Sequence, residues 1–528
     1  MYGVSQPEER LYVSCSRIDE TGGELRPSAV FRELENFLQS RAESDDSVVL
    51  GDLEDGEVTE IAVSPKGAIS YLTDAFREYL EDGKLDEDWL YAGLWYGSHE
   101  PEEMERIRRG MEFDNEQNAL GGQLADALYR GDRRAIEASA SRLEKYSGCP
   151  FAHFISYGLR PEDLRVFEMG PREIGDIYHE CLMKLSRRLT APMTGEDGLP
   201  ETAAAPGSAG DAGTVTDPDS RWMKITQEEC REEIRRILQE ETGTYREGLL
   251  ASGRNESYRA ERIVDICSRA AWAMIGQVRR GRIREMYFEQ PFARGAELAP
   301  IRVNAGEHEV LIKGKIDRMD VLDLPEHEDG LETAVRIIDY KTGGDAVDVE
   351  QIRSGYKLQL MLYLKAATQK QEVKPAGVFL FKIREIDADA DARTVVPGEA
   401  AVEERMEDAY KLEGIVLDDM DMIDSMDTEI GGASKVLPIK YVKKNGSYSG
   451  SSGGYLFSRE EFEELSAQVD QQVERICREI RDGNIDIRPK KETKKDMEGN
   501  YKTSCKYCSY KSICMFDTAF PGCRYERV

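Results

Sequence analysis

The chain has 528 residues, enough for two or three domains, and carries a formal net charge of −31 with 33% charged and 40% hydrophobic residues. That balance describes a globular protein and excludes fibrous classes, and no apolar run approaches the roughly 18–20 residues that span a bilayer. The opening MYGVSQPEERLYV lacks a basic region followed by an apolar one, so no secretory signal is expected, and the expected compartment is cytoplasmic, where clustered cysteines hold metal more often than they pair.

The acidic total argues against a polyanionic partner. A DNA contact needs only a local basic strip, however, and three are present: QVRRGRIRE at Gln277–Glu285, KYVKKNG at Lys440–Gly446 and RPKKETKK at Arg488–Lys495.

Residues 1–45 begin with a strand-like stretch, Arg10–Arg17, then a Gly22–Gly23 turn and a helical pattern at Ser28–Arg41. Such a piece is too short to fold alone and reads as the end of a larger unit. Residues 46–145 read as a helical connecting region, with apolar residues three and four apart in Ala68–Leu80 and Ala125–Tyr146. A third amphipathic helix is predicted at Gly175–Leu189. Thr190–Ser220 is rich in Gly, Pro, Ala and Thr and reads as a disordered insertion, because helical pattern resumes at Thr226–Glu241. His308–Leu322 and Thr333–Lys341 are predicted as antiparallel strands around the turn-rich PEHEDG. A helix at Gln351–Thr368 and a strand at Ala376–Ile383 follow, and Lys444–Tyr455 reads as a hairpin tip. Strand, strand, helix, strand indicates an α/β domain with a mixed sheet flanked by helices.

Two carboxylates stand out on these strands: Asp317 in GKIDRMD, and Asp339 ending VRIIDYKTGG. On neighbouring strands they converge. Alone and partly buried they would repel until one took a proton. A divalent cation such as Mg²⁺ removes that conflict, because it favours one or two carboxylates plus water and phosphate oxygens. Strand alternation puts Asp339 and Lys341 on one face and Tyr340 on the other. Lys341 is thus placed to orient or deprotonate a water, or to neutralise charge on a phosphate, which suggests metal-assisted phosphodiester hydrolysis. His179 lies at the edge of the apolar stripe of its helix, where an imidazole reaches a metal. Gln359 and Tyr363, four residues apart, share a helix face.

The series GDIYH, GKIDRMD, IIDYKTG and LQLMLYL resembles the PD-(D/E)XK nuclease superfamily in its RecB-like branch, with its restriction-endonuclease-like sheet. The resemblance implies metal contacts from His179, Asp317, Asp339 and the Tyr340 backbone carbonyl, with Lys341 as the catalytic amine and Gln359 and Tyr363 on the accessory motif.

Cys505, Cys508 and Cys514 form C-x2-C-x5-C, a metal site lacking a fourth ligand, for which Cys523 and Cys149 are candidates. Zinc usually shows two paired knuckles, whereas iron–sulfur ligation accepts three clustered cysteines and a remote one. Cys15, Cys181, Cys230, Cys267 and Cys477 read as ordinary buried thiols.

YSGCPFAHFISYGL before the nuclease motifs and CKYCSYKSICMFD after them resemble the AddB-type family of AddAB helicase–nucleases. That resemblance implies a [4Fe–4S] cluster on Cys149, Cys505, Cys508 and Cys514 that staples a nuclease domain spanning residues 146–528. It further implies a DNA exonuclease subunit of double-strand-break repair and recombination, cutting the 5′-ended strand, with an AddA-type helicase–nuclease subunit as partner. Residues 1–45 resemble the end of the family's helicase-like region, whose longer N-terminal part is not in this chain. No G-x4-G-K-[ST] loop occurs, so ATP hydrolysis by this polypeptide is not expected. Two other readings remain: a cluster-stabilised DNA-binding scaffold without catalysis, and a free-standing nuclease of the CRISPR-adaptation type.

Overall fold

The computed structural model describes residues 65–111, 119–130, 135–162, 170–191, 215–244, 254–306, 308–324, 330, 332–369, 373–385, 407–495, 499–518 and 523–528. The helicase-like segment expected over 1–45, Cys15 and residues 192–214 of the expected insertion lie outside them. The chain divides into a unit ending at Phe113 and a second running from Asp114 to Val528.

The described part of the first unit is three helices: α1 (Pro65–Asp82), α2 (Glu87–His99) and α3 (Pro101–Met111). Asp86 caps α2 by accepting the Asp88 N–H. Leu72, Ala75, Trp89, Tyr96 and Ile107 form a small core between them.

The second unit starts with α4 (Gly122–Tyr129), β1 (Ile136–Ala138) and α5 (Ala140–Gly148). The stretch Ala125–Tyr146, expected to be helical, is therefore helix, strand and helix. Ile136 and Ala138 are buried because β1 pairs in parallel with β4 (His308–Ile312), a pairing across some 170 residues that no local pattern announces. Residues 114–145 thus belong to the second unit. Its long helices follow: α6 (Pro171–Thr190), α7 (Gln227–Thr244) and α8 (Arg254–Arg279). The disorder expected over Thr190–Ser220 does not extend to its last residues. Val215 is buried, the Val215 and Thr216 amides donate to Arg284 and Ile283 carbonyls, and Ser220 caps the next helical turn.

Among the described residues the main sheet has six strands, in the order β11 (Gly454–Phe457), β8 (Glu413–Leu417), β7 (Lys374–Lys382), β6 (Thr333–Lys341), β5 (Gly314–Asp323) and β2 (Ile283–Phe292). It is mixed, as expected: β6 is antiparallel to β5 and parallel to β7. β6 is central and buried on both faces, which is why Ala-Val-Arg-Ile-Ile reads as a nearly unbroken apolar run. The predicted strand His308–Leu322 is two strands broken at Lys313. β4 joins β1 and β3 (Ile301–Ala305) in a separate small sheet, and β5 enters the main one.

The predicted helix Gln351–Thr368 is likewise two, α9 (Val349–Arg353) and α10 (Gln359–Ala367). The break falls at Gly355, with φ of +73°, where a Cβ would stand 3.1 Å from the Gln472 side chain. Helix α10 packs on β5, β6 and β7. The Met274 sulfur of α8 meets the Tyr340 hydroxyl on the opposite sheet face. Near the C-terminus α11 (Arg459–Arg481) opens with a capping box between Ser458 and Glu461. Its stripe of Phe462, Leu465, Val469, Val473, Ile476 and Ile480 is buried.

Candidate active site

The sheet register brings the predicted carboxylates together. Arg318 pairs with Ile338, so one step further along, Asp317 and Asp339 come opposite each other. Asp317 accepts the Tyr340 amide at 3.1 Å. Asp339 is only 1% exposed, and its charge acts on Asp317. Burial first, then this second carboxylate, pushes the Asp317 carboxyl well above its ordinary range. Two acids are therefore held where both cannot comfortably be ionised, and a divalent cation would relieve that conflict.

Alternation on β6 puts Lys341 beside Asp339, with Nζ 2.7 Å from Oδ2. Burial pulls the Lys341 amine down, but the Asp339 charge and hydrogen bond together with the Asp317 and Asp345 charges outweigh it, and the net shift is upward. The ammonium form dominates, which suits neutralising a phosphate better than taking a proton. Tyr340 points to the other face, buried, its ring edge-on to His179 with centroids 5.6 Å apart.

His179, on α6, approaches from that other face, its Nδ1 3.5 Å from Asp317 Oδ2. Its ring hydrogen-bonds the Tyr340 backbone, and burial lowers its pKa, keeping the imidazole neutral as a metal ligand must be. From α10, Gln359 donates to Asp339 Oδ1 at 2.8 Å and to the Tyr363 hydroxyl at 2.9 Å, while its Oε1 accepts from Lys341 at 3.2 Å. The amide thus fixes the orientation of the acid and the amine together.

One residue escaped the sequence reading. Glu289 on β2 lies opposite Asp317, because the flanking pairs are Phe288–Arg318 and Gln290–Ile316. Its carboxylate, the His179 imidazole and the Asp317 carboxylate place ligand atoms within 4.8 Å of one another, whereas Asp339 lies outside that group and faces Lys341 and Gln359. Glu289 has φ of +51°, a left-handed conformation that costs a non-glycine residue on the order of 1–3 kcal/mol and concentrates at functional sites. Glu289 also pairs with Lys315. Nothing in YFEQPF announces the role; the signal is its pairing to the Asp317 strand, which appears only in three dimensions. A cleft of about 570 Å³ opens on this side, lined by His179, Glu289, Lys315, Arg187 and Asp176 among others.

The basic strips fare unequally. Arg279 donates to the Trp222 and Ile225 carbonyls, Arg280 pairs with Asp427 and Glu429, and Arg284 pairs with Asp323. Arg279 and Arg280 are thus engaged by the protein itself, whereas Arg282 is exposed. Lys440–Gly446 runs through the hairpin of β9 (Ile439–Val442) and β10 (Ser447–Gly450). Arg488–Lys495 enters β12 (Lys490–Lys495), where Lys490 is buried and Lys491 lies over the Tyr501 ring.

Cys149, at the end of α5, and Cys505, Cys508 and Cys514 line one cavity whose other walls are largely apolar, including Phe151, Ile487, Pro489 and Phe516. Burial raises the Cys149 thiol to about 11. Among the described residues no group of three sulfurs lies within 4.8 Å of one another. Cys181, Cys230, Cys267 and Cys477 are buried, as expected. Cys523 is buried as well and is not part of the cavity wall.

A strand pair carrying two opposed acids, a lysine two residues on, and a helix-borne Gln and Tyr above them defines a nuclease of the PD-(D/E)XK kind. The family model of the PD-(D/E)XK nuclease superfamily matches residues 137–515, and the chain belongs to that superfamily. Among curated proteins it is similar to the B-type component of the ATP-dependent helicase/deoxyribonuclease of Alkaliphilus oremlandii, 27% identical over 535 residues, 99% of this chain and 42% of that protein. The proteins of the same name from Caldanaerobacter subterraneus and Clostridium botulinum strain Okra are 28% and 29% identical over the same shares. The chain spans about two fifths of the length of these relatives. Among the described residues no helix is long and apolar enough to cross a membrane.

Proposed function

We propose that this chain carries the nuclease centre of an AddB-type helicase–nuclease component, a deoxyribonuclease that hydrolyses phosphodiesters of single-stranded DNA. The observation that carries the reading is the convergence of Asp317, Asp339, Lys341 and Gln359 at one end of β5 and β6. His179, Asp317 and Glu289, whose ligand atoms converge, would hold a Mg²⁺ or Mn²⁺ ion, with Asp339 and the Tyr340 carbonyl added as the resemblance implies, and the raised Asp317 carboxyl fits a site built for a cation. When bound, such an ion supplies Lewis-acid polarisation of the phosphate and a more acidic water. Lys341 neutralises the phosphate, Gln359 orients Lys341 and Asp339, and Tyr363 holds the Gln359 amide.

The four cysteines would hold a [4Fe–4S] cluster. Each would bind a different iron, and the convergence of all four cysteines on one cavity supports the reading. Cys149 and the Cys505–Cys514 segment flank the nuclease residues in sequence, so the cluster would close a very long loop and contribute stability. The names of the relatives, as one component of a helicase/deoxyribonuclease, support a partner component and a DNA substrate; an AddA-type partner, action in double-strand-break repair and a cytoplasmic setting follow from the resemblance. The 5′-ended strand is the expected substrate by resemblance.

The test is Mg²⁺-dependent degradation of a single-stranded oligonucleotide, alone and with the AddA-type partner. Asp339→Ala and Lys341→Ala should each abolish it; unchanged activity in either would overturn the reading. A brown protein with broad absorption near ~400 nm is expected from the cluster, and a colourless zinc protein would remove it.

A further inference from the structure

Helix α10 carries Gln359 and Tyr363, yet its own sequence leaves its first turn uncapped: Leu358 stands at the N-cap with no side-chain acceptor. The acceptor comes from elsewhere in the chain. Glu144 Oε1 takes the Leu358 N–H at 2.6 Å and the Gln359 N–H at 3.0 Å. These are two of the amide groups that a helix start leaves without partners. Glu144 sits on α5 five residues before Cys149, a rise of about 7.5 Å along the helix. The Cys149 amide closes α5 on the Lys145 carbonyl. A Cβ at the intervening Gly148 would stand 3.5 Å from Ser504 Oγ and 3.7 Å from the Tyr356 ring. The end of α5 is thus wedged between the residue before Cys505 and the loop that leads into α10. On the far side, the Gln359 amide touches Asp339, Lys341 and Tyr363.

We infer that Glu144 is a positioning residue that fixes the first turn of α10 and so ties the placement of Gln359 to the four-cysteine end of the chain. The inference rests on the nuclease reading above. Without the Glu144 carboxylate two partly buried N–H groups lose their acceptor. The first turn of α10 then frays, and Gln359 no longer holds Asp339 and Lys341 in one geometry.

The test is hydrogen–deuterium exchange of the full chain over residues 356–363, together with oligonucleotide degradation kinetics. Glu144→Ala should raise exchange in that segment about tenfold, with β5 and β6 unchanged. Its kcat should fall about 10–100-fold, the range seen when a residue supporting a metal site is removed, with KM nearly constant. Glu144→Gln, whose amide oxygen still accepts, should keep wild-type exchange and most of the activity. Cys149→Ser should raise exchange in the same segment. Wild-type exchange in Glu144→Ala, loss of protection in Glu144→Gln equal to that in Glu144→Ala, or an unchanged segment in Cys149→Ser would overturn the inference. Should Glu144→Ala fail to fold, Glu144→Asp, whose acceptor is one methylene too short, takes its place with the same expected exchange. An inactive Asp339→Ala beside a fully active Glu144→Ala removes this inference alone. An active Asp339→Ala removes the nuclease reading and leaves the exchange result to decide the capping.

Discussion

Removing Asp320 should destabilise the second unit far more than its single charge suggests. Its carboxylate is fully buried and accepts from Arg318 Nε and Nη2 at 2.7 Å each and from Arg336 Nε at 2.8 Å. Both arginines are also fully buried. The network carries one carboxylate against two guanidiniums, and both Nη atoms of Arg336 have no hydrogen-bond partner. Asp320→Ala therefore strands two cations in a low-dielectric interior, a loss of about 3–5 kcal/mol. Unfolding entropy of about 2.1 cal/mol/K per residue over the roughly 400 residues from Asp114 to Val528 converts this to a melting shift of about 4–6 °C. Differential scanning calorimetry on the metal-free chain reads it directly. The variant Arg318→Met, Asp320→Leu, Arg336→Met removes all three charges at similar volume and should recover most of the loss, because no buried ion is left unpaired. A Tm for Asp320→Ala within about 1 °C of wild type would refute the reasoning. So would a triple variant as unstable as the single one. Arg318 stands opposite Ile338 in the strand register, so the single change should also loosen the strand that presents Asp339 and Lys341.

Three further outcomes are expected. Gln359→Ala frees both Asp339 and Lys341 from their shared amide and should lower oligonucleotide cleavage about 10–100-fold at unchanged thermal stability, checked by paired kinetics and melting. Gly414→Ala would put a Cβ 2.0 Å from the Val378 carbonyl oxygen across β7 and β8. The backbone itself must move, so the urea midpoint should fall by the equivalent of about 3 kcal/mol or more. Burial raises the Glu144 pKa above its usual 4.5, against the lowering effect of its two backbone N–H donors. The folded state then holds that proton more tightly than the unfolded chain, so stability falls as pH rises from about 4.5 through the raised value. Glu144→Gln lacks that proton, and its Tm should therefore gain on wild type as pH increases over this window; a constant difference across pH would contradict the linkage.

Chemistry and local order were readable from the residues alone. Asp339 and Lys341 sit two apart on a β-branched strand, so alternation alone put them on one face. Gln359 and Tyr363 sit four apart, so helical spacing alone put them on another. The C-x2-C-x5-C cluster was legible for the same reason, since it is a local pattern, whereas the approach of Cys149 to the same cavity was not.

Pairing across long separations was decided by the tertiary structure. The split of His308–Leu322 between two sheets depends on β1, some 170 residues upstream, taking β4 as its partner. Glu289 became part of the site because β2 pairs with β5, and Glu144 reached α10 across 214 residues. Of the arginines near Gln277–Glu285 that looked like a DNA strip, Arg279 and Arg280 proved to be taken up by the protein itself. Sequence periodicity reports how a segment meets its nearest neighbours along the chain. Which distant carboxylate satisfies a buried amide or cation is settled only when the whole core closes and every polar group must find its partner.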